Sequence, residues 1–388
     1  MTRAAVVGAG MTSFGVHDTP LQELFGEAAF GALDDAGVTT DDLDALYFGN
    51  AMSGQAENET HLGPRVASHI GAAGLAVQRF EDACATSANA FKNAVQAVDA
   101  GVHDIVLVGG VERCTPETGR DTAAMTRIFA SASHRQYEQP TGLTFPSVFA
   151  LLTKRHMHEH GTTEADLASV AVKNHANGRL NPRAHFGKET TVEEVLDGPV
   201  VADPFRLMDC CPFSDGASAV VVVSDDLADS FDAPVDVTGV GHATDVVPIA
   251  DKTTLTATQA ARDAAEEAYG QAGIEADDAD FAEVHDCFTG AEILASEAIG
   301  FAPDGEGGRY AADGRTALDG DRPINPSGGL KAKGHPIGAT GTAQIVELTE
   351  QIRDTAGERQ IDDAETGVAH NLGGDSATTV VSVLEGRA

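Results

Sequence analysis

The chain has 388 residues, of which 60 are Asp or Glu and 25 are Lys or Arg, so its formal net charge is −35 at pH 7. A field of this sign repels nucleic acids and anionic membranes, whose binding proteins present clustered cations. Hydrophobic residues make up 42% of the chain, enough for a large core, and no apolar run approaches the roughly 20 residues that span a bilayer. Composition therefore favours a globular protein of several domains or of one duplicated unit.

The N-terminus and the acidic excess bear on location. The opening residues, MTRAAVVGAGM, lack the long apolar stretch of a signal peptide, which predicts a cytoplasmic protein. The acidity fits either an ordinary acidic protein or, as we favour, adaptation to high salt, where counterions screen the carboxylates. An odd number of cysteines without a secretory signal argues against a disulfide framework, and the absence of C-x-x-C argues against a zinc ribbon in this chain. The cysteines are Cys84, Cys114, Cys210, Cys211 and Cys287.

Short β-rich runs alternate with Ala-rich helical stretches, the pattern of a layered α/β fold. In chain order, the predicted elements are strand Arg3–Val7, helix Leu21–Ala36, strands Ala45–Phe48 and Val77–Phe80, helix Ser87–Ala100, strand Asp104–Val108, helix Val148–His160, strands Ser218–Val223 and Val235–Val240, helix Thr258–Ala272, strand Phe281–Val284, helices Thr289–Ile299 and Gly341–Asp354, and strand Thr378–Leu384.

The two halves of the chain resemble each other. Residues 34–44 (DDAGVTTDDLD) are echoed by residues 270–280 (GQAGIEADDAD), each between an amphipathic helix and a strand. In each, a glycine is predicted to end the helix and an acidic turn leads into the strand, which indicates an internal duplication. Residues 120–206 fit neither half and predict an insertion over the active site, with one clear helix. The predicted division is 1–119 and 207–232 for the N-terminal half, 120–206 for the insertion and 233–388 for the C-terminal half.

Four segments carry residues suited to catalysis. Cys84 lies between a predicted strand and a predicted helix, where the helix N-terminus would lower the thiol pKa, unless it is simply a small buried cysteine. His285 and Cys287 follow another predicted strand, at the end where ligands bind in such sheets, although a packed pair is the alternative. Residues 325–341 hold five glycines and His335 in a loop that lets backbone approach a ligand. Gly373 and Gly374 either supply N–H groups to an oxyanion or form a plain turn.

Weaker features are also present. Gly8-Ala9-Gly10 lacks the third glycine of a dinucleotide fingerprint. His156, His158 and His160 are spaced like metal ligands, but a solvated helix end is the favoured interpretation. Arg120, Arg127 and Arg135 either pair with carboxylates or meet a phosphate, and the sequence does not choose between these.

Together the motifs resemble the thiolase superfamily from the first strand to the last. Residues 334–341 (GHPIGATG) are similar to the family's GHPxGxxG loop, and Cys84 occupies the position of its nucleophile. Residues 285–288 (HDCF) replace the Asn-Glu-Ala-Phe of ordinary thiolases and resemble the sterol-carrier-protein type and its archaeal relatives. The Cys-x-Gly motif of ordinary thiolases is absent, and in those relatives the Cys of the HDCF motif takes its place. The resemblance implies a thiolase fold, with duplicated βαβαβαββ halves forming a five-layered α-β-α-β-α core and an inserted loop domain.

The resemblance also implies a two-step Claisen reaction on acyl-CoA with no further cofactor and no metal. Cys84 would carry the acyl group, His335 would take its proton, and Cys287 would remove the α-proton of a second acetyl-CoA. His285 and His335 would donate hydrogen bonds to the enolate. We expect Gly373 and Gly374 at the oxyanion, and Asn325, Lys331 and Lys333 at the substrate.

The implied function is acetyl-CoA C-acetyltransferase in isoprenoid synthesis. Alternatives are a ketothiolase for longer chains, in degradation or polyester synthesis, a non-catalytic scaffold subunit, and a decarboxylating ketoacyl synthase, against which Cys287 counts. The resemblance further implies a homodimer or homotetramer and a complex with a small zinc-ribbon/OB-fold protein and hydroxymethylglutaryl-CoA synthase.

Overall fold

The computed structural model describes residues 4–115 and 121–387. The strands of this part of the chain are β1 (Ala4–Met11), β2 (Ala45–Gly49), β3 (Ala76–Phe80), β4 (Ile105–Arg113), β5 (Val200–Ala202), β6 (Phe205–Arg206), β7 (Asp215–Ser224), β8 (Val235–Thr244), β9 (Phe281–Val284), β10 (Thr366–Gly373) and β11 (Thr378–Gly386). Its α-helices are α1 (Leu21–Ala36), α2 (Ser53–Ala56), α3 (Leu62–His69), α4 (Thr86–Asp99), α5 (Thr122–Ala130), α6 (Phe145–His160), α7 (Glu164–Leu180), α8 (Val192–Leu196), α9 (Asp225–Ala228), α10 (Gln259–Ala272), α11 (Thr289–Ala298), α12 (Gly307–Ala312), α13 (Gly329–Ala332) and α14 (Thr340–Ile352).

The strand order shows the duplication directly. Nine strands form one ladder in the order β3-β2-β4-β7-β1-β8-β11-β10-β9. Outward from the central β1–β8 pair, the N-terminal half runs β1, β7, β4, β2 and the C-terminal half runs β8, β11, β10, β9. In each half these are the first, fifth, fourth and second strands of the ladder in chain order. Both halves also share the senses of pairing, two antiparallel and then parallel. The third strand of the C-terminal half is reduced to a parallel bridge between Ala282 and Ile324. The predicted internal duplication is thus confirmed.

Helices cover and separate the two halves of the ladder in five layers. Helices α4 and α14 contact strands of both halves, and their side chains share one core with them, including Phe91, Val95 and Ile345. Helices α1 and α3 cover the other face of the N-terminal half, and α10 and α11 that of the C-terminal half. The layers therefore run α-β-α-β-α, as the resemblance to thiolases implies.

The repeated acidic turns fold alike. Gly37 and Gly273 end α1 and α10 in the left-handed conformation, with φ of 69° and 77°. A short 3₁₀ turn follows each, closed by the carboxylates of Asp42 and Asp278, which accept backbone N–H bonds at 2.8 Å. The predicted helix ends are confirmed, because a residue without Cβ is favoured where φ is positive.

Several elements of the described chain were not predicted. Residues 121–206 contain four helices, α5 to α8, and not one, and α7 begins with a capping box between Thr163 and Asp166. Helix α3 and strand β10 are also absent from the sequence prediction. The strand is buried on both faces, so its sequence lacks the alternation that reveals a half-buried strand.

In the described ranges, no helix combines the length and the apolar character that a membrane crossing requires.

Candidate active site

Cys84 lies on a tight turn between β3 and α4, as predicted. The preceding Ala83 has φ of 47°, a conformation unusual for a residue with Cβ. The Thr86 hydroxyl holds the turn, because it accepts from the N–H of Asp82 at 2.8 Å and donates to the carbonyl of Ala83 at 2.6 Å. The Gly374 N–H donates to the Cys84 thiol, so the predicted oxyanion glycine points at the predicted nucleophile.

His335 is brought beside Cys84 by the packing of two helix N-termini. Helix α14 starts so close to α4 that a Cβ on Gly341 would lie 2.4 Å from the backbone nitrogen of Ala88. The Ser87 hydroxyl accepts from the N–H of Thr342 at 3.0 Å across the same junction. Gly341, the last glycine of the GHPIGATG loop, is therefore needed because the backbones of α4 and α14 touch there.

A hydrogen-bond chain fixes the proton of His335. Thr340 donates its hydroxyl proton to the carbonyl of Pro336 at 3.0 Å, so its oxygen accepts from Nδ1–H of His335 at 2.6 Å. Nε2 then carries a lone pair, and His335 is arranged as a base.

His285 has the opposite arrangement. The Asn371 side-chain amide donates to its Nδ1 at 3.0 Å, so Nε2 carries the proton. That Nε2 is buried without a hydrogen-bond partner among the described residues. The two imidazole rings meet edge to face, with centroids 4.9 Å apart. His285 is therefore arranged as a hydrogen-bond donor.

The structure brings three of the four predicted catalytic groups close together. The Cys84 sulfur and one ring nitrogen each of His285 and His335 all lie within 4.8 Å of one another. Cys287 lies close enough to Cys84 and Cys211 that a charge on either of their sulfurs raises the pKa of the Cys287 thiol. The Cys211 N–H donates to the carbonyl of Cys287 at 3.0 Å. Cys211 was not predicted at the site, and no spacing in the sequence indicates it.

Burial keeps these groups neutral, which corrects one expectation. Burial raises the pKa of Cys84 to about 12 despite the Gly374 N–H, and it lowers the pKa of His335 to about 3. The pKa of Cys287 is raised and that of His285 lowered, again mainly by burial. The helix N-terminus was expected to lower the thiol pKa of Cys84, whereas desolvation, its largest cause of change, raises it.

An apolar wall adjoins the nucleophile. Cys84 packs against four buried side chains, called here the Met125 cluster, with Phe129 and Phe213 partly buried beside them. Met125 itself is fully buried on α5, which belongs to the predicted insertion. The members of the cluster are Met52, Cys114, Met125 and Ile337.

The thiolase N-terminal domain matches residues 4–226, and the thiolase C-terminal domain-like family matches residues 241–386. The chain belongs to the thiolase family. This makes it an enzyme of the acyltransferase class, as the sequence motifs predict.

Individual relatives agree with the assignment. The acetyl-CoA acetyltransferase of Methanothermobacter thermautotrophicus is 44% identical over 386 residues, which cover 99% of this chain and 100% of the relative. Human sterol carrier protein 2 is 31% identical over 98% of this chain and 71% of its own length. Among solved structures, the Ltp2-ChsH2(DUF35) aldolase superposes with a TM-score of 0.84 at 26% identity, covering 99% of this thiolase and 98% of that chain.

Polar side chains of α7 hold the two catalytic loops of this thiolase together. Asn174 donates to the carboxylates of Asp286 and Glu292, both at 2.7 Å. Lys173 pairs with Glu292 at 2.6 Å in the interior. Asp286 in turn accepts from the N–H of Leu330 at 2.6 Å. The insertion thus links residues 285–288 to the loop that carries His335.

Three predicted substrate contacts are corrected. Asn325 is fully buried, where it accepts from the N–H of Val284 and donates to Glu292, both at 2.8 Å. Lys333 is 1% exposed and pairs with Glu283 at 3.2 Å. Lys331 donates inward to the carbonyl of Cys210 at 2.8 Å. All three side chains therefore turn into the interior and brace the loops.

The remaining candidates separate clearly. Gly373 lies in β10, and a Cβ there would be 2.6 Å from the carbonyl of Asp82, so its role is close packing. His156 is buried between Thr162 at 2.9 Å and Glu297 at 3.0 Å, and so is not the solvated helix end that was expected. His158 and His160 lie in the last turn of the same helix. Arg127 and Arg135 are exposed, and Arg120 lies outside the described residues.

Proposed function

We propose that this thiolase is an acetyl-CoA C-acetyltransferase that condenses two acetyl-CoA molecules to acetoacetyl-CoA, or cleaves the product in reverse. The observation that carries the proposal is the convergence of Cys84, His285 and His335 within 4.8 Å, with Cys287 alongside. The archaeal acetyl-CoA acetyltransferases that align over nearly the full chain support it.

In the first half-reaction, the thiol of Cys84 attacks the thioester carbonyl of acetyl-CoA. Nε2 of His335 takes the thiol proton as the carbon–sulfur bond forms, so no resting thiolate is required. The Gly374 N–H, which now contacts the thiol, is placed to stabilise the oxyanion on the carbonyl oxygen. Departure of CoA as a thiolate leaves acetyl-Cys84, and the neutral thiol of Cys287 supplies the proton that makes it CoA–SH.

In the second half-reaction, Cys287 acts as the base. Having given up its proton, its thiolate lies in surroundings that favour the neutral form, so it readily removes the α-proton of a second acetyl-CoA. Nε2–H of His285 donates to the enolate oxygen. The enolate carbon attacks acetyl-Cys84, the carbon–sulfur bond breaks, and the imidazolium of His335 returns a proton to the thiol.

The apolar wall favours a short acyl group. The side chains of the Met125 cluster, 0–6% exposed, fill the space next to Cys84, and each further methylene of an acyl chain must displace them. A ketothiolase for longer chains is the alternative, and it predicts that acyl chains enter on another side of the thiol.

Further proposals concern the binding of CoA, the partners of the enzyme and its location. Arg127 and Arg135 are exposed cations of the inserted segment, and we propose that they meet the CoA phosphates, since Lys331 and Lys333 turn inward. Oligomerisation, a role in isoprenoid synthesis, a cytoplasmic location and adaptation to high salt are likewise proposals, the last supported by the net charge of −35. The two-component name of the Ltp2-ChsH2(DUF35) aldolase supports a partner protein, and we propose that it is of the zinc-ribbon/OB-fold kind.

The test separates the two half-reactions in molar KCl. Native protein and Cys84→Ala, Cys287→Ala and Cys210→Ala variants are mixed with acetyl-CoA, and CoA release, acetyl-enzyme mass and acetoacetyl-CoA are followed. We expect Cys84→Ala to lose everything and Cys287→Ala to lose condensation while Cys84 is still acetylated, because a CoA thiolate can leave unprotonated. Cys210→Ala, which removes a thiol that contacts the carbonyl of Arg206 at 3.5 Å, should behave as native.

Two other outcomes would contradict the proposed roles or favour another function. Equal loss of both half-reactions in Cys287→Ala would contradict the assigned roles. A native protein that is never acetylated, and whose Cys84 reacts with iodoacetamide no faster than other thiols, would support a scaffold subunit or a reaction without an acyl-enzyme.

A further inference from the structure

The unexplained feature of the site is the contrast between its two histidines. Both rings are buried beside Cys84, yet His335 presents a lone pair and His285 a proton. A neutral imidazole does only one of these at a given nitrogen, so the partner of the other nitrogen decides the role. For His335 that partner is local, five residues away, and for His285 it is Asn371, 86 residues away.

We propose that Asn371 is a positioning residue that fixes His285 as an Nε2–H donor and thereby prevents it from acting as a base or as a metal ligand. This rests on the proposed function and assigns a residue to its second half-reaction. The side chain of Asn371 is 1% exposed on β10, and its amide donates to Nδ1 at 3.0 Å. The backbone N–H of His285 donates to Nδ1 of His370 at 3.4 Å, which helps to hold the residue in place.

The sulfur of Cys84 makes the same ring nitrogen a potential metal ligand. One thiol and two imidazoles within 4.8 Å are a donor set that suits Zn²⁺. A histidine that binds metal donates its other ring N–H to a carboxylate or carbonyl. Asn371 offers His285 a donor where an acceptor would be needed, so the proton stays on Nε2 and the nitrogen remains available to an enolate oxygen.

An isosteric substitution inverts the arrangement. In Asn371→Asp, a carboxylate replaces the amide, accepts from Nδ1–H and moves the lone pair of His285 to Nε2. The enolate then loses a donor, and condensation should fall about 10²–10³-fold, the usual effect of losing one such donor. Acetylation of Cys84 should stay near the native rate, because His335 and Thr340 are unchanged.

Zn²⁺ alone provides a second readout that does not depend on turnover. In Asn371→Asp, Zn²⁺ should protect Cys84 from iodoacetamide, and Co²⁺ should give a thiolate charge-transfer band, both reversed by EDTA. The native enzyme should show neither at the same metal concentration. Asn93→Asp is the matched control: Asn93 is bonded to Asn89 within α4, and the added charge there should have none of these effects.

Each result decides the question. Native condensation by Asn371→Asp, or an equal fall in both half-reactions with no gain of Zn²⁺ protection, would overturn the inference. If that variant does not fold, Asn371→Ala replaces it, and the inference then requires condensation to fall more than acetylation. A native enzyme that is not acetylated at all would defeat the proposed function itself, which is a separate result.

Discussion

Replacing Thr340 with valine tests whether His335 is a base because of one hydroxyl. Valine has the same shape but cannot accept the proton on Nδ1 that now bonds to Thr340 at 2.6 Å. Thr340 is 1% exposed, so no water replaces the lost acceptor. Leaving a buried N–H unpaired costs about 1–3 kcal/mol.

The imidazole avoids this cost by moving its proton from Nδ1 to Nε2. Nε2 then has no lone pair with which to accept the proton of the Cys84 thiol. If the reactive tautomer is raised by about 1–3 kcal/mol, its population falls roughly 5- to 150-fold. We expect the same fall in the rate of the CoA burst that reports acetylation of Cys84, measured by rapid quench.

Thr340→Ser is the control, because it keeps the hydroxyl that links His335 to Pro336. The serine variant should acetylate close to the native rate, and urea titration should show that both variants fold. Native burst kinetics in Thr340→Val, or an equal slowing in both variants, would refute the assignment of the proton.

Two further predictions concern the pocket and its stability. Met125→Ala should open space for about two methylenes, whose burial is worth ~1.6 kcal/mol, and so raise the ratio of kcat/KM for butanoyl-CoA to kcat/KM for acetyl-CoA about 15-fold. Phe30→Ala, at an exposed site, is the control and should leave this ratio unchanged. An unchanged ratio in Met125→Ala would place the acyl chain elsewhere. The folded state keeps His335 neutral to a pKa of about 3, whereas the unfolded chain binds that proton below its ordinary pKa of 6.5, so stability is lost as pH falls through this window. As the pH falls from about 7.5 to about 4.5, the free energy of unfolding of His335→Gln should therefore decrease by roughly 2–3 kcal/mol less than that of the native protein, as measured by urea titration. Equal decreases in the two proteins would contradict the buried neutral ring.

The sequence was most informative where the cause of structure is local. Gly37 and Gly273 end helices because the left-handed conformation is easiest for glycine, and this needs no knowledge of distant residues. The turn that carries Cys84 and the repeated acidic segments were predicted for the same reason. The resemblance to thiolases then supplied the layers.

Two of the elements that the sequence did not reveal have buried faces without a simple pattern. Helix α7 buries Lys173, Asn174 and His175 together with apolar residues such as Leu167 and Val170, so polar side chains interrupt its apolar stripe and contact the loops that carry His285 and His335. Strand β10 is covered on both sides and lacks alternation. In both cases neighbours distant in the chain decide the structure.

The same distinction applies to the active site. The sequence by itself identified the candidate reactive side chains, namely Cys84, His285, Cys287 and His335. Only the tertiary structure decided their protonation, because burial raises the pKa of Cys84 and because the proton of His285 depends on an amide 86 residues away. A pKa and a tautomer are set by what surrounds a group in space, and that information is spread over the whole chain.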